Sequence, residues 1–164
     1  MDLAALFEKS KNGNKEASSE IYNLYFSPIS KYIYYRTKSV SDTRDIIQIV
    51  FSKFYSNINE YTANENPFKH FYTITKNSIA DWQKKKKPYR PDEIDKNTDF
   101  MTQKILKTLK LLPLAQQESI VLKAIQGYTN EEIGDIIGET DVSKLQNKGI
   151  QKIKTYMKSY KKKR

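Results

Sequence analysis

The chain has 164 residues, a formal net charge of +10, a pI near 9.5 and no cysteine. That length suffices for one medium domain or two small ones. The missing cysteine excludes disulfides, thiolate metal sites and cysteine nucleophiles, while the excess of cations implies attraction to a polyanion. The opening MDLAALFEKSK carries an early acid and only a short apolar run, so it does not read as a secretory signal, and no apolar stretch approaches a membrane span. A cytoplasmic protein without a membrane partner is expected.

Apolar residues recur at helical spacing almost throughout, and no alternating strand pattern competes, which predicts an all-α fold. Ile21, Leu24, Tyr25, Ile29, Tyr32 and Ile33 mark one helix. Ile46, Ile47, Val50, Phe51, Phe54 and Ile58 mark another, with Ser39 and Asp42 spaced as a capping box at its start. Pro67, the last residue of NENP, suits a first-turn position and opens a third helix through PFKHFYTITKNSIADWQKKKK. Past Lys87 the segment PYRPDEIDKNTD has two prolines, several acids and little apolar content, the composition of a flexible linker. Four shorter helices follow, separated by Pro113, by Gly127 with Thr129, and by Gly138 with Thr140; Thr129 and Glu132 have capping-box spacing. A short capped helix, a Gly-bearing turn and a longer basic helix describe a helix-turn-helix. The predicted organisation is two small helical domains, residues 1–87 and 105–164, joined by a linker over 88–104.

Catalytic chemistry is thin. His70 is the only histidine, no Gly-rich phosphate loop is present, and no metal-ligand spacing occurs. Neither an enzyme nor a cofactor is expected, and His70 reads as a surface or packing residue. The stretch from Pro67 to Lys87 is richer. Unpaired bases stack on aromatic rings for about 1–3 kcal/mol each while lysines follow the phosphates, and this segment has both ingredients. The competing reading makes Phe68, Phe71, Tyr72 and Ile74 core and Lys84 to Lys87 a solvated helix end. The spacing of Phe71 and Ile74 favours core for that pair; composition leaves Tyr72, Lys76, Asn77 and Trp82 open.

The motifs in order resemble those of bacterial RNA polymerase sigma factors of the extracytoplasmic-function group. DIIQIVFSKFY, residues 45–55, is similar to that family's core-polymerase-binding motif D-L-V-Q-E-T-F-L-K-x-W. PFKHFYTITKNSIADWQKKKK resembles its P-F-R-A-W-L-Y-R-I-A-R-N-L-A-I-D-x-x-R-R-R, with Lys76-Asn77 where Arg-Asn is usual. LPLAQQESIVLKAIQGYTNEEIGDIIG resembles the start of its carboxy-terminal domain, and KGIQKIK its closing motif. The resemblance runs from about Ala17 to Lys154.

The resemblance implies a sigma factor that binds core RNA polymerase and directs promoter recognition, DNA melting and initiation. It implies docking on the β′ clamp coiled coil through Asp45, Gln48, Ile49, Phe51, Ser52 and Tyr55 and a further contact with the β flap; an anti-sigma factor or a partner DNA-binding protein is a candidate further partner. It implies minus-10 recognition and melting by Asn64, Asn66, Phe68, Lys69, Phe71, Tyr72, Lys76, Asn77, Trp82 and Lys84. Helix-turn-helix contacts to promoter DNA fall to Thr129, Thr140, Ser143, Lys144, Gln146, Asn147 and Lys148. Two departures stand out: Ile49 occupies a position usually Glu, and only ETD separates Gly138 from Val142 where about five residues are usual. In register with KGIQKIK, Leu145 then takes a slot usually basic and Gln146 one usually apolar. The shortened turn raises the alternative of a sigma-like factor with relaxed minus-35 reading, brought to its sites by a partner DNA-binding protein. A helix-turn-helix regulator acting without polymerase, or a small RNA-binding structural protein, are the readings from other classes.

Overall fold

The computed structural model describes residues 2–62, 65–85 and 100–161, and all regular structure among them is helical. The chain divides into two compact units, Met1–Tyr89 and Arg90–Arg164.

The first unit contains α1 (Leu3–Lys11), α2 (Lys15–Thr37), α3 (Val40–Ser56), one 3-10 turn (Ile58–Glu60) and α4 (Pro67–Lys85). The side chains of Asp2, Asn14 and Ser39 accept from the backbone N–H groups of Ala5, Ala17 and Asp42, satisfying donors that the first turns leave open. Pro28 lies inside α2 and lacks an N–H, so the Leu24 carbonyl has no i+4 donor there. The helix stops at Lys38, a non-glycine residue in the left-handed region at φ 55°, whose N–H closes on Tyr34 and whose ammonium lies 4.6 Å from the Tyr35 ring centroid.

Aromatic rings fill the centre of this unit. Phe71 of α4 stacks on Phe54 of α3 at 3.9 Å and 18°, and on Tyr25 of α2 at 4.9 Å and 27°. Phe7, from a helix that the sequence reading left out, closes the cluster edge-on to Phe54 at 5.9 Å and against Tyr61 at 4.3 Å. Each such pair adds about 0.5–1.5 kcal/mol to what burial alone supplies.

The second unit contains α5 (Phe100–Leu109), α6 (Leu114–Gln126), α7 (Asn130–Ile137) and α8 (Val142–Lys161). Because α5 starts at Phe100, the last five residues assigned to the linker are helical; residues 86–99 lie outside the described residues. The Thr129 and Glu132 capping box is complete in both directions. Gly138, left-handed at φ 74°, ends α7, and the N–H groups of Gly138 and Glu139 both close on the Gly134 carbonyl. The chain returns so tightly that a Cβ on Gly134 would lie 2.6 Å from the Glu139 carbonyl oxygen. Asp141 then caps α8 by accepting from Lys144 N–H at 3.0 Å. Leu109, Leu112, Val121, Leu122, Ile133, Ile136 and Val142 form the core. Near the other end of α8, the Lys104 ammonium sits 4.1 Å from the Phe100 ring centroid and 4.4 Å from that of Tyr160.

Candidate functional site

Helix α3 divides the residues assigned to polymerase docking. Asp45, Gln48, Ile49 and Ser52 recur at three- and four-residue spacing and lie on one exposed face, with Ile49 at 46% exposure. Phe51 does not join them. It faces inward at 5% exposure, its ring 5.3 Å from Phe71, because it falls on the Ile47, Val50, Phe54 stripe that α3 buries. Tyr55 is half-buried, and its hydroxyl donates to the Ser18 carbonyl of α2 at 2.6 Å. These two residues are corrected to internal supports of the face. Sequence reading missed the exposed Tyr22 and Phe26, whose rings lie 5.1 Å apart on α2 with Tyr22 4.6 Å from Phe51. Two aromatics four apart, off the apolar stripe of α2, were the available signal.

Helix α4 sorts its candidates in the same way. Phe68, Phe71 and Tyr72 have exposures of 2%, 0% and 5%, with Thr75, Ser78 and Ile79 continuing the inward face and Trp82 half-buried along it. Their ring faces are occupied by protein, Tyr72 lying 5.5 Å from Tyr32, so stacking of Phe68, Phe71 or Tyr72 on a base is corrected to core packing. Ile74 is half-buried. Lys69, Lys76, Asn77 and Lys84 are exposed together on the opposite face, and the Lys76 ammonium reaches over the Tyr72 ring at 5.9 Å. Asn66 accepts from Phe68 N–H at 3.0 Å, which makes it a support for the start of α4. Asn64 lies outside the described residues. His70 packs edge-on against Phe54 at 5.8 Å.

Around α7 and α8 the geometry is again selective. The Thr129 hydroxyl accepts from Glu132 N–H, a capping role. Ser143 Oγ accepts from the Asn130 side-chain amide at 2.8 Å, and Asn130 was not foreseen. Gln146 is half-buried and its amide donates to the buried Ser119 carbonyl of α6 at 3.2 Å, so it is corrected from a base contact to an interhelical tie. Four residues after the buried Val142 and three before the buried Gly149, it falls on the packed face of α8, which is why it turns inward. Leu145 is half-buried, while Thr140, Lys144, Asn147 and Lys148 are exposed.

Burial shifts three tyrosine hydroxyls of the first unit. The hydroxyls of Tyr25 and Tyr55 are both pushed up to about 12, by burial first and then by neighbouring Tyr61 and Tyr22 respectively. Burial also raises Tyr61, whose hydroxyl donates to the Glu65 carbonyl at 3.0 Å.

Residues 21–88 match the family model described as Sigma-70 region 2. The chain is 29% identical to the ECF RNA polymerase sigma factor SigW of Bacillus subtilis (strain 168), over 77% of its own length and 80% of that protein. It superposes on CnrH, solved in complex with the cytosolic domain of CnrY, with a TM-score of 0.77 and 16% identity, over 97% of this chain and 99% of CnrH. It also superposes on the sigma factor RpoE of Bartonella quintana, solved with the anti-sigma factor NepR, with a TM-score of 0.65 and 15% identity, over 85% and 96% of the two chains. At those identities the superpositions show a shared all-helical fold. Residues 21–88 therefore match Sigma-70 region 2, and the chain is similar in sequence to RNA polymerase sigma factors, members of the extracytoplasmic-function group among them.

Proposed function

We propose that the chain binds core RNA polymerase and directs promoter recognition, DNA melting and transcription initiation in the cytoplasm. The observation that carries this reading is the face of α3, where Asp45, Gln48, Ile49 and Ser52 stand exposed while Phe51 and Tyr55 brace them from behind. Polar and apolar groups on a rigidly backed helix suit docking on another protein's helix pair, the β′ clamp coiled coil. The opposite surface of α4 supplies Lys69, Lys76, Asn77 and Lys84 for the phosphates of a separated strand, leaving Trp82 as the half-exposed ring of that helix. In the second unit, α7, its tight turn and α8 form a helix-turn-helix of a region-4-like domain that lies on promoter DNA and contacts the β flap. RpoE, a relative in fold, is held by an anti-sigma factor, and this chain is a candidate for the same class of inhibitor.

One observation favours the alternative in which the chain's own reading of minus-35 sites is relaxed. Gln146 and Ser143 are engaged inside the unit, which leaves Lys144, Asn147 and Lys148 as the free polar groups at the start of α8. Lysines and one amide give strong phosphate attraction with modest base discrimination, so a partner DNA-binding protein supplies part of the site selection. The test is to reconstitute the chain with core polymerase and map initiation on genomic DNA. Promoter-dependent starts that require the chain support the reading; operator binding with no polymerase association overturns it in favour of a regulator acting alone.

A further inference from the structure

The positive charge of the chain is concentrated at one end. Residues 142–164 hold nine Lys or Arg and no Asp or Glu, against a net charge of +10 for all 164 residues. Six of those lysines, at 144, 148, 152, 154, 158 and 161, lie in α8, and all six are exposed. At about 100° of rotation per residue, Lys144, Lys148, Lys154, Lys158 and Lys161 fall on the side away from the buried Val142 and Gly149, with Lys154, Lys158 and Lys161 within about 60° of one another and Lys152 on the flank. Among the described residues, none of the six is ion-paired.

Like charges four residues apart, as at 144, 148 and 152 and at 154 and 158, disfavour an isolated helix. Tertiary packing holds this one. The Lys104 ammonium between the Phe100 and Tyr160 rings ties α5 to the far end of α8, and Ile153 and Met157 are half-buried along the same side. A cationic face is thereby held in place without an internal ion pair, which suits an external polyanion.

Length decides where that face meets its ligand. With 20 residues α8 extends about 30 Å, whereas the major groove is about 12 Å wide. A helix seated in the groove by its first two turns carries its second half past the groove edge and along the sugar-phosphate backbone. A lipid surface would require an apolar face free to insert, and that face of α8 is already packed on α5 and α6.

We propose that the second half of α8, through Lys154, Lys158 and Lys161, is a sequence-independent phosphate rail on duplex DNA, distinct from the groups at the start of the helix. The proposal rests on the reading of the second unit as DNA-binding. It fixes affinity and salt dependence while leaving sequence preference to Lys144, Asn147 and Lys148.

The experiment measures binding of the full chain to a short duplex of random sequence by fluorescence anisotropy across a KCl series, with phosphatidylserine-containing vesicles in parallel. Lys154→Gln, Lys158→Gln and Lys161→Gln combined should lower the slope of log affinity against log salt by about 2.7, at about 0.9 per lost phosphate contact. Arginine at the same positions should retain the slope, and Lys158→Gln alone should lower it by about 0.9, so the result does not hang on one variant's folding. An unchanged slope in a folded triple variant, with wild-type binding intact, removes the rail and leaves the DNA-binding reading standing. Failure of the wild-type chain to bind duplex removes both. Loss of vesicle binding with duplex binding unchanged would make the face a membrane contact and overturn the proposal.

Discussion

Tyr55 on α3 donates its hydroxyl hydrogen to the carbonyl of Ser18 on α2 across 2.6 Å, tying two helices 37 residues apart in sequence. Tyr55→Phe should therefore lower the stability of the first unit by about 1 kcal/mol, the usual net value of such a bond, without weakening co-purification with polymerase. The same environment sets a pH response. Tyr25 and Tyr55 titrate at about 12 in the fold against 10.0 when free. Below pH 10 folded and unfolded chains both keep these protons and the contribution is present in full. Above it the unfolded chain ionises first, so stability falls as pH climbs through about 12. Urea midpoints from pH 8 to 12 should be flat and then decline, and the decline should be shallower in Tyr55→Phe. A midpoint that rises above pH 10 would contradict the burial of these hydroxyls.

Gln48 and Asp45 lie exposed on the proposed docking face of α3. Replacing both with Ala should change stability by no more than about 0.5 kcal/mol, as for surface positions generally. Co-purification with core polymerase should fall about tenfold or more if the pair lies near the centre of the contact. Undiminished co-purification by the folded variant would move the docking site elsewhere.

Substitutions on the two faces of α4 should fail differently. Phe71→Ala removes a ring stacked on both sides and should cost about 3–5 kcal/mol, read as a lower Tm. Tyr72→Ala should also lower the Tm, and a template with a pre-melted bubble should not rescue its transcription. Lys76→Ala should leave the Tm in place and lower the salt slope of single-strand binding by about 0.7. Rescue of Tyr72→Ala by the bubble would show that its ring leaves the core when DNA is engaged.

Two glycines of the second unit test the tightness of its packing. Gly134→Ala forces a Cβ to within 2.6 Å of the Glu139 backbone oxygen and should cost about 1–3 kcal/mol. At Gly149 the nearest atom, 2.7 Å away, is Ile120 Cδ1, the end of a side chain that can rotate, so Gly149→Ala should cost less. Thermal denaturation of the two variants decides the order; a reversed order would mean that the turn after α7 yields more readily than the α6–α8 seam.

Helical periodicity made most of the fold legible. It marked the buried stripe of α3 and the four helices of the second unit, and the Thr129 and Glu132 spacing located the start of α7. Helix α1 was not legible because two and a half turns do not sustain themselves, and what holds it is Phe7 against Phe54 and Tyr61, partners distant in sequence. The site was legible as a segment but not as residues. Aromatic rings serve both core and stacking, and only the helical phase of α4 separates Phe68, Phe71 and Tyr72 from Lys69, Lys76 and Asn77. Gln146 shows the converse: a polar residue read as a contact turned inward because a main-chain carbonyl on α6 could receive its amide.

The placement of Phe71 between Phe54 and Tyr25 makes one ring common to α2, α3 and α4. None of these helices can peel away without opening the same aromatic stack, so their amides should resist hydrogen exchange as a single cooperative block, close to the global unfolding free energy of the unit. What such a block offers a partner is a finished surface with little ordering entropy left to lose, and recognition there proceeds by docking onto a preformed shape.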